Sequence, residues 1–121
     1  MASPVHVVVV EDETLVRMDI VAFLENEGFI VSEASNADEA IAALERHIDI
    51  GILFTDIDMP GSMDGLRLSA FVRDRWPPVR IVVTSGHMIV DVADLPDGSV
   101  FFSKPYRAAT IADSFRQILS T

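Results

Sequence analysis

Asp56 stands directly behind the apolar stretch "DIGILF" and a threonine, where a buried strand would end. Glu11 and Asp12 follow "VHVVVV", Thr84 and Ser85 close "RIVVTS", and Lys104 and Pro105 come straight after "SVFFS". If these runs deliver their last residues to one edge, several carboxylates meet there. At about 4 Å and an effective dielectric near 20, each like-charge pair costs roughly 4 kcal/mol. Either the pKa values rise or a cation is present. A set made only of oxygen donors favours a hard ion, and Mg²⁺ or Mn²⁺ suits carboxylates combined with water and phosphate oxygens. Lys104 adds a compact positive charge and Thr84 a hydroxyl donor. Such a set suits acceptance of a phosphoryl group, with an aspartate oxygen as nucleophile and the metal and lysine offsetting the charge.

The elements needed to position these residues are visible in the hydrophobic pattern. "VHVVVV" (5–10) is short and valine-rich, a buried strand. Val16, Ile20, Phe23 and Leu24 share one face of a helix over 14–26, closed by Gly28. "FIVSEA" (29–34) is a second strand. Asn36, with Glu39 three residues on, starts a helix whose apolar face carries Ala37, Ile41, Leu44 and Ile48. "IGILFT" (50–55) is the third strand. Asp64 caps a third helix with Leu68, Phe71 and Val72, stopped by Trp76-Pro77-Pro78. Strands follow at 80–85 and 99–103, and a last helix presents Ile111, Phe115, Ile118 and Leu119. Residues 86–98 show no clean period and predict a short or irregular helix. Strands alternating with helices indicate an α/β fold with a parallel sheet, helices on both faces, and a site beyond the carboxyl ends of the strands.

Composition bounds the function. The 121 residues make one ordinary domain, 50% apolar and 23% charged. With no cysteine, disulfides, thiolate catalysis and cysteine-based zinc sites are excluded. A formal charge of −10 argues against binding nucleic acid directly. Neither a signal peptide nor a membrane-spanning stretch is present in the sequence pattern, so a soluble cytoplasmic protein with no membrane role is expected. The histidines at 6, 47 and 87 show no ligand spacing and read as structural or surface residues, with His87 near enough to the strand ends to stay open.

"VVVVEDE", "LFTDIDMPGSMDG", "IVVTSGH" and "FFSKPY", in this order and at successive strand ends, resemble the receiver domain of two-component response regulators, of the chemotaxis-regulator type. The resemblance spans nearly the whole chain, 1–121, as a single receiver domain without an output domain. It implies a flavodoxin-like five-stranded parallel sheet of order 2-1-3-4-5. Asp56 would be the phosphoacceptor, Asp12 and Asp56 direct Mg²⁺ ligands, Glu11 a ligand through water, and the backbone carbonyl of Asp58 the third protein ligand. Thr84 would be the switch hydroxyl, Lys104 the lysine that pairs with the phosphate, and Phe101 the aromatic switch. Pro105 matches the family's proline, before which a cis peptide is usual. The implied protein is a signalling phosphoacceptor and not an enzyme with a turned-over substrate. Its partners would be a sensor histidine kinase or phosphotransfer protein and a downstream protein, and it would be a monomer or weak dimer.

Two features depart from the family pattern. "DIDMPGSMDG" carries one residue more between Pro60 and Met63, so that loop should bulge, and the interval from Thr84 to Lys104 is slightly short. Two other readings remain. One is a phosphohydrolase of the haloacid dehalogenase type, which also uses D-x-D after a strand, although its nucleophile ends the first strand. The other is an interaction module that keeps the fold but is not phosphorylated.

Overall fold

A computed structural model describes residues 4–86 and 92–120. Five strands alternate with four helices: β1 His6–Val10, α1 Thr14–Asn26, β2 Ile30–Ala34, α2 Ala37–Arg46, β3 Ile50–Asp56, α3 Gly65–Arg75, β4 Arg80–Ser85, β5 Val100–Ser103 and α4 Ala108–Leu119. All pairings are parallel, in the order β2-β1-β3-β4-β5. This is the flavodoxin-like architecture, and the order reverses between β1 and β3, where a doubly wound sheet opens its ligand crevice.

The run of four valines in β1 is explained by burial on both sheet faces. Val7 and Val9 pack with Ile20, Leu24, Ile111 and Phe115 of α1 and α4. Val8 and Val10 pack with Ala40, Leu44, Leu68 and Val72 of α2 and α3. A strand covered on both sides has no polar face, so the two-residue alternation disappears from its sequence. One irregularity in the β1–β3 register falls between His6 and Val7, whose partners are Ile50 and Ile52. The skipped residue is Gly51, and the skip lets Ile50 join the α2/α3 side while Ile52 joins the α1/α4 side.

Helix ends follow their capping signals. The Gly28 amide donates to the Glu25 carbonyl and the Phe29 amide to the Leu24 carbonyl, the paired bonds that close a helix through a glycine. Asn36 accepts from the Glu39 amide at 2.9 Å, while the Glu39 carboxylate reaches back to the amide of Ser35 at 2.8 Å. Asp64 accepts from the Arg67 amide at 2.9 Å. Each cap supplies an acceptor to an otherwise unpaired first-turn amide.

Three apolar assignments fail. Ile48, placed on the α2 face, is fully exposed, because α2 ends at Arg46 and the helical spacing from Leu44 no longer applies. Phe71 is exposed and lies edge-on against Trp76 at 6.1 Å. Leu119, in the last turn of α4, is exposed as well. Of the segment 86–98 expected to hold a short or irregular helix, residues 87–91 lie outside the described residues, and the rest carries a 3-10 turn at Val92–Asp94 followed by buried Leu95. His87 lies outside the described residues. Among the described residues no helix is long and apolar enough to cross a membrane.

Candidate functional site

The parallel ladder carries the strand-end residues to one edge. Asp56, last in β3, is the register partner of Thr84 in β4. The Ile57 amide donates to the Thr84 carbonyl at 2.9 Å and the Lys104 amide to the Ser85 carbonyl at 2.9 Å. On the other side the Glu11 amide donates to the Ala34 carbonyl at 3.0 Å. Each extra bond extends the ladder past the strand by one residue and fixes the backbone of a site residue.

The side chains then converge. The Lys104 ammonium donates to Glu11 Oε1 at 2.7 Å and to Asp56 Oδ2 at 2.9 Å. Carboxylate oxygens of Glu11, Asp12 and Asp56 lie within 4.8 Å of one another. Glu11 and Asp56 are buried, whereas Asp12 is exposed. The Glu13 amide donates to Glu11 Oε2 at 3.2 Å and the Asp58 amide to Asp56 Oδ1 at 3.3 Å. The cluster therefore holds three carboxylates against one ammonium, a surplus of negative charge suited to a divalent cation. Its donors are all oxygen, which fits Mg²⁺ or Mn²⁺ by kind.

Electrostatics follow from burial and pairing. Burial raises the Glu11 carboxyl above its usual range, and the nearby charge of Asp56 adds to this; the bonds from Lys104 and the Glu13 amide offset part of it. Burial opposes the Lys104 ammonium, but its hydrogen bonds to Glu11 and Asp56 prevail and raise its pKa. Burial, with the Glu11 charge, pushes the Tyr106 phenol up to about 12. Tyr106 stands next to Pro105 and packs edge-on against Phe54 at 5.7 Å.

The remaining expected residues are placed as follows. Thr84 is buried at the end of β4. Lys104–Pro105 is a cis peptide. The Asp58 side chain accepts from Ser85 Oγ through Oδ2 at 3.1 Å. Asp58 meets Asp56 through its amide. Phe101 is the register partner of Val83, not of Thr84, and is half-buried against Ile57, Ile81, Val83 and Leu95.

Two contributors, Arg17 and Gly65, escaped the sequence reading, and Ser85, seen there only as the end of a strand, gains a contact. Ser85 orients Asp58. Arg17 donates to the Glu11 carbonyl at 2.7 Å and pairs with Glu33 at 3.2 Å, tying α1 to the strand end. Gly65 follows the Asp64 cap, and a Cβ there would collide with the Asp56 carbonyl and sit 2.7 Å from Ile57 Cα. Its only signal was the glycine directly after the capping aspartate. The extra loop residue is absorbed in an exposed turn over 60–62, where Gly61 takes φ 111° and Ser62 donates to Asp38 at 2.7 Å. Of the histidines read as structural or surface residues, His6 is buried and His47 half-buried, their rings tilted 58° to each other at 4.8 Å between centroids, with Asp49 alongside.

A family profile described as "Response regulator receiver domain" matches residues 7–116. The chain belongs to that family. This receiver domain is 32% identical over 120 residues to the C4-dicarboxylate transport transcriptional regulatory protein DctD of Rhizobium meliloti, covering 97% of this chain and 26% of that protein. It is also 32% identical over 123 residues to the sensor kinase CckA of Brucella abortus, covering 98% of this chain and 13% of that one. Among solved structures it superposes on a response regulator receiver protein from Sinorhizobium medicae with a TM-score of 0.87 at 28% identity, covering 98% of this chain and 96% of the other. The chain spans about a quarter of the length of DctD and less of CckA.

Proposed function

We propose that this receiver domain accepts a phosphoryl group on Asp56 in a reaction that requires Mg²⁺ or Mn²⁺, and that the modification alters a protein-interaction face. One observation carries the reading: the Lys104 ammonium bridges buried Asp56 and Glu11, with Asp12 in the same cluster, at the point where the strand order reverses. An Asp56 oxygen attacks the phosphorus of a phosphohistidine or small acyl phosphate, a P–O bond forms, and the donor's P–N or P–O bond breaks. The donor's imidazole or carboxylate leaves.

Asp12 and Asp56 would hold the metal directly, Glu11 through water, and Asp58 through its backbone carbonyl. When bound, the ion supplies positive charge against the oxygens of the transferring group. Lys104 already sits on Asp56 and needs no reorganisation to pair with a phosphoryl oxygen. Thr84 is placed beside Asp56 by the β3–β4 register and can donate its hydroxyl to the same group. From Thr84 the effect would pass to Phe101 through the β4–β5 pair, shifting a pre-existing equilibrium.

The phosphoryl donor would be a sensor histidine kinase or phosphotransfer protein, and the output a downstream protein, with the domain acting as monomer or weak dimer in the cytoplasm. The phosphohydrolase alternative loses support because β1 ends at Val10, just before Glu11–Asp12, while the candidate nucleophile ends β3. Intact-mass measurement with acetyl phosphate and Mg²⁺ tests the proposal. Wild type should gain one phosphoryl group and Asp56→Asn none; label retained by Asp56→Asn would sink it.

A further inference from the structure

We propose that His6, His47 and Asp49 form a second metal site, for a zinc-class divalent ion, at the end of the sheet opposite the carboxylate cluster. It is independent of the phosphoryl reading. His6 opens β1, Asp49 immediately precedes β3, and His47 caps the carboxyl end of α2. The parallel pairing of β1 with β3 brings together residues 43 apart in sequence, and one ligand atom from each of the three lies within 4.8 Å of the others.

The geometry favours ligation over a simple hydrogen bond. His6 is buried, and its Nε2 lies 2.7 Å from Ser32 Oγ on β2. With Nε2–H donated to that hydroxyl, the Nδ1 lone pair faces Asp49 Oδ1 at 3.4 Å. That separation is long for a hydrogen bond. It matches the edge of about 3.3 Å between two ligands at zinc bond lengths near 2.0–2.1 Å in a tetrahedron. A partner on the second ring nitrogen is also what fixes a ligating imidazole's tautomer, and Ser32 fills that place. His47 is half-buried and Asp49 exposed, leaving the fourth position for water. Two imidazoles with one carboxylate select a zinc-class ion over the hard ions suited to the oxygen-only cluster. His6 and Glu11 are five residues apart along an extended strand, about 17 Å, so the two sites do not share a ligand. A bound ion would clip β1 to the α2–β3 connection, with β2 held through Ser32.

The test is titration of the chelator-treated chain with Zn²⁺ in excess Mg²⁺, read by calorimetry and by the imidazole ring resonances. Wild type should bind one Zn²⁺ with shifts at the His6 and His47 rings. His47→Ala and Asp49→Asn, both at solvent-accessible positions, should each weaken binding by about tenfold or more, and Ser32→Ala by about tenfold. Asp12→Asn should leave it unchanged. Binding that survives both His47→Ala and Asp49→Asn, or that disappears in Asp12→Asn, would overturn the proposal, as would unmoved histidine rings in wild type. If His47→Ala does not fold, Asp49→Asn and the ring shifts decide alone.

Discussion

At the carboxyl ends of β1 and β3 the chain gathers three carboxylates and one ammonium; at the amino ends of the same two strands it gathers two imidazoles and one carboxylate. One ladder positions both groups, so strand pairing explains the convergence but not the chemistry. What differs is the surrounding backbone. The carboxyl edge lies beside segments entering helices, and their amides reach the acids: Glu13 to Glu11 and Asp58 to Asp56. The amino edge receives the carboxyl end of α2, where the helix dipole favours a cation. A parallel sheet therefore offers an anion-tolerant edge and a cation-tolerant edge, and each end of this one is furnished accordingly.

The comparison breaks most decisively at Asp56. Asp56→Asn should remove phosphoryl uptake completely, while His47→Ala, at the other edge, should leave uptake at the wild-type level. Parallel intact-mass time courses decide this, and equal losses would mean that the two ends are coupled.

Lys104→Met comes next. It leaves buried Glu11 and Asp56 facing each other without their shared ammonium. Removing one partner of a fully buried pair costs about 3–5 kcal/mol, and the partial exposure of Lys104 reduces this to about 2–4 kcal/mol. Urea unfolding without divalent ions should show it, and millimolar Mg²⁺ should restore part of the loss. No change in midpoint would show that the ammonium is not balancing the two acids.

Gly65→Ala should cost about 1–3 kcal/mol, the usual range for forcing an atom into packed structure. The added methyl must push back the Asp56 carbonyl and Ile57 Cα, so phosphoryl uptake should slow as well. A thermal melt unchanged from wild type would show that the α3 start can shift freely away from β3.

Much of the carboxyl edge was legible in the sequence because β-branched runs mark strands, and parallel strands bring their last residues to one side. Glu11, Asp12, Asp56 and Lys104 needed nothing more than that. The strand order came from family resemblance, since no local pattern encodes which strand lies beside which. Ile48 misled because helical spacing continues past Arg46 in the sequence although the helix does not. Ser85 and Gly65 act through one hydroxyl contact and one missing methyl, neither of which has a pattern. The His6–His47–Asp49 group was illegible for a different reason: its members face each other only once β1 pairs with β3.

The finest probe of the carboxyl edge is Tyr106, the chain's only tyrosine. Its phenol is pushed up to about 12 by burial first and by the Glu11 charge second. An unfolded tyrosine ionises near pH 10. Between these values the unfolded chain has lost its proton while the folded chain keeps it, so stability present below about pH 10 declines as pH rises toward 12. Ultraviolet titration of the folded protein should therefore show tyrosinate appearing well above pH 10. Glu11→Gln should bring the midpoint part of the way down, because it removes the negative charge and leaves the burial. His47→Ala should leave the midpoint where it is, since the amino edge lies a strand's length away. A midpoint near 10 in wild type would mean that Tyr106 is solvated. A midpoint that moved with His47 would mean that the two edges share a field, and their chemistry could no longer be treated separately.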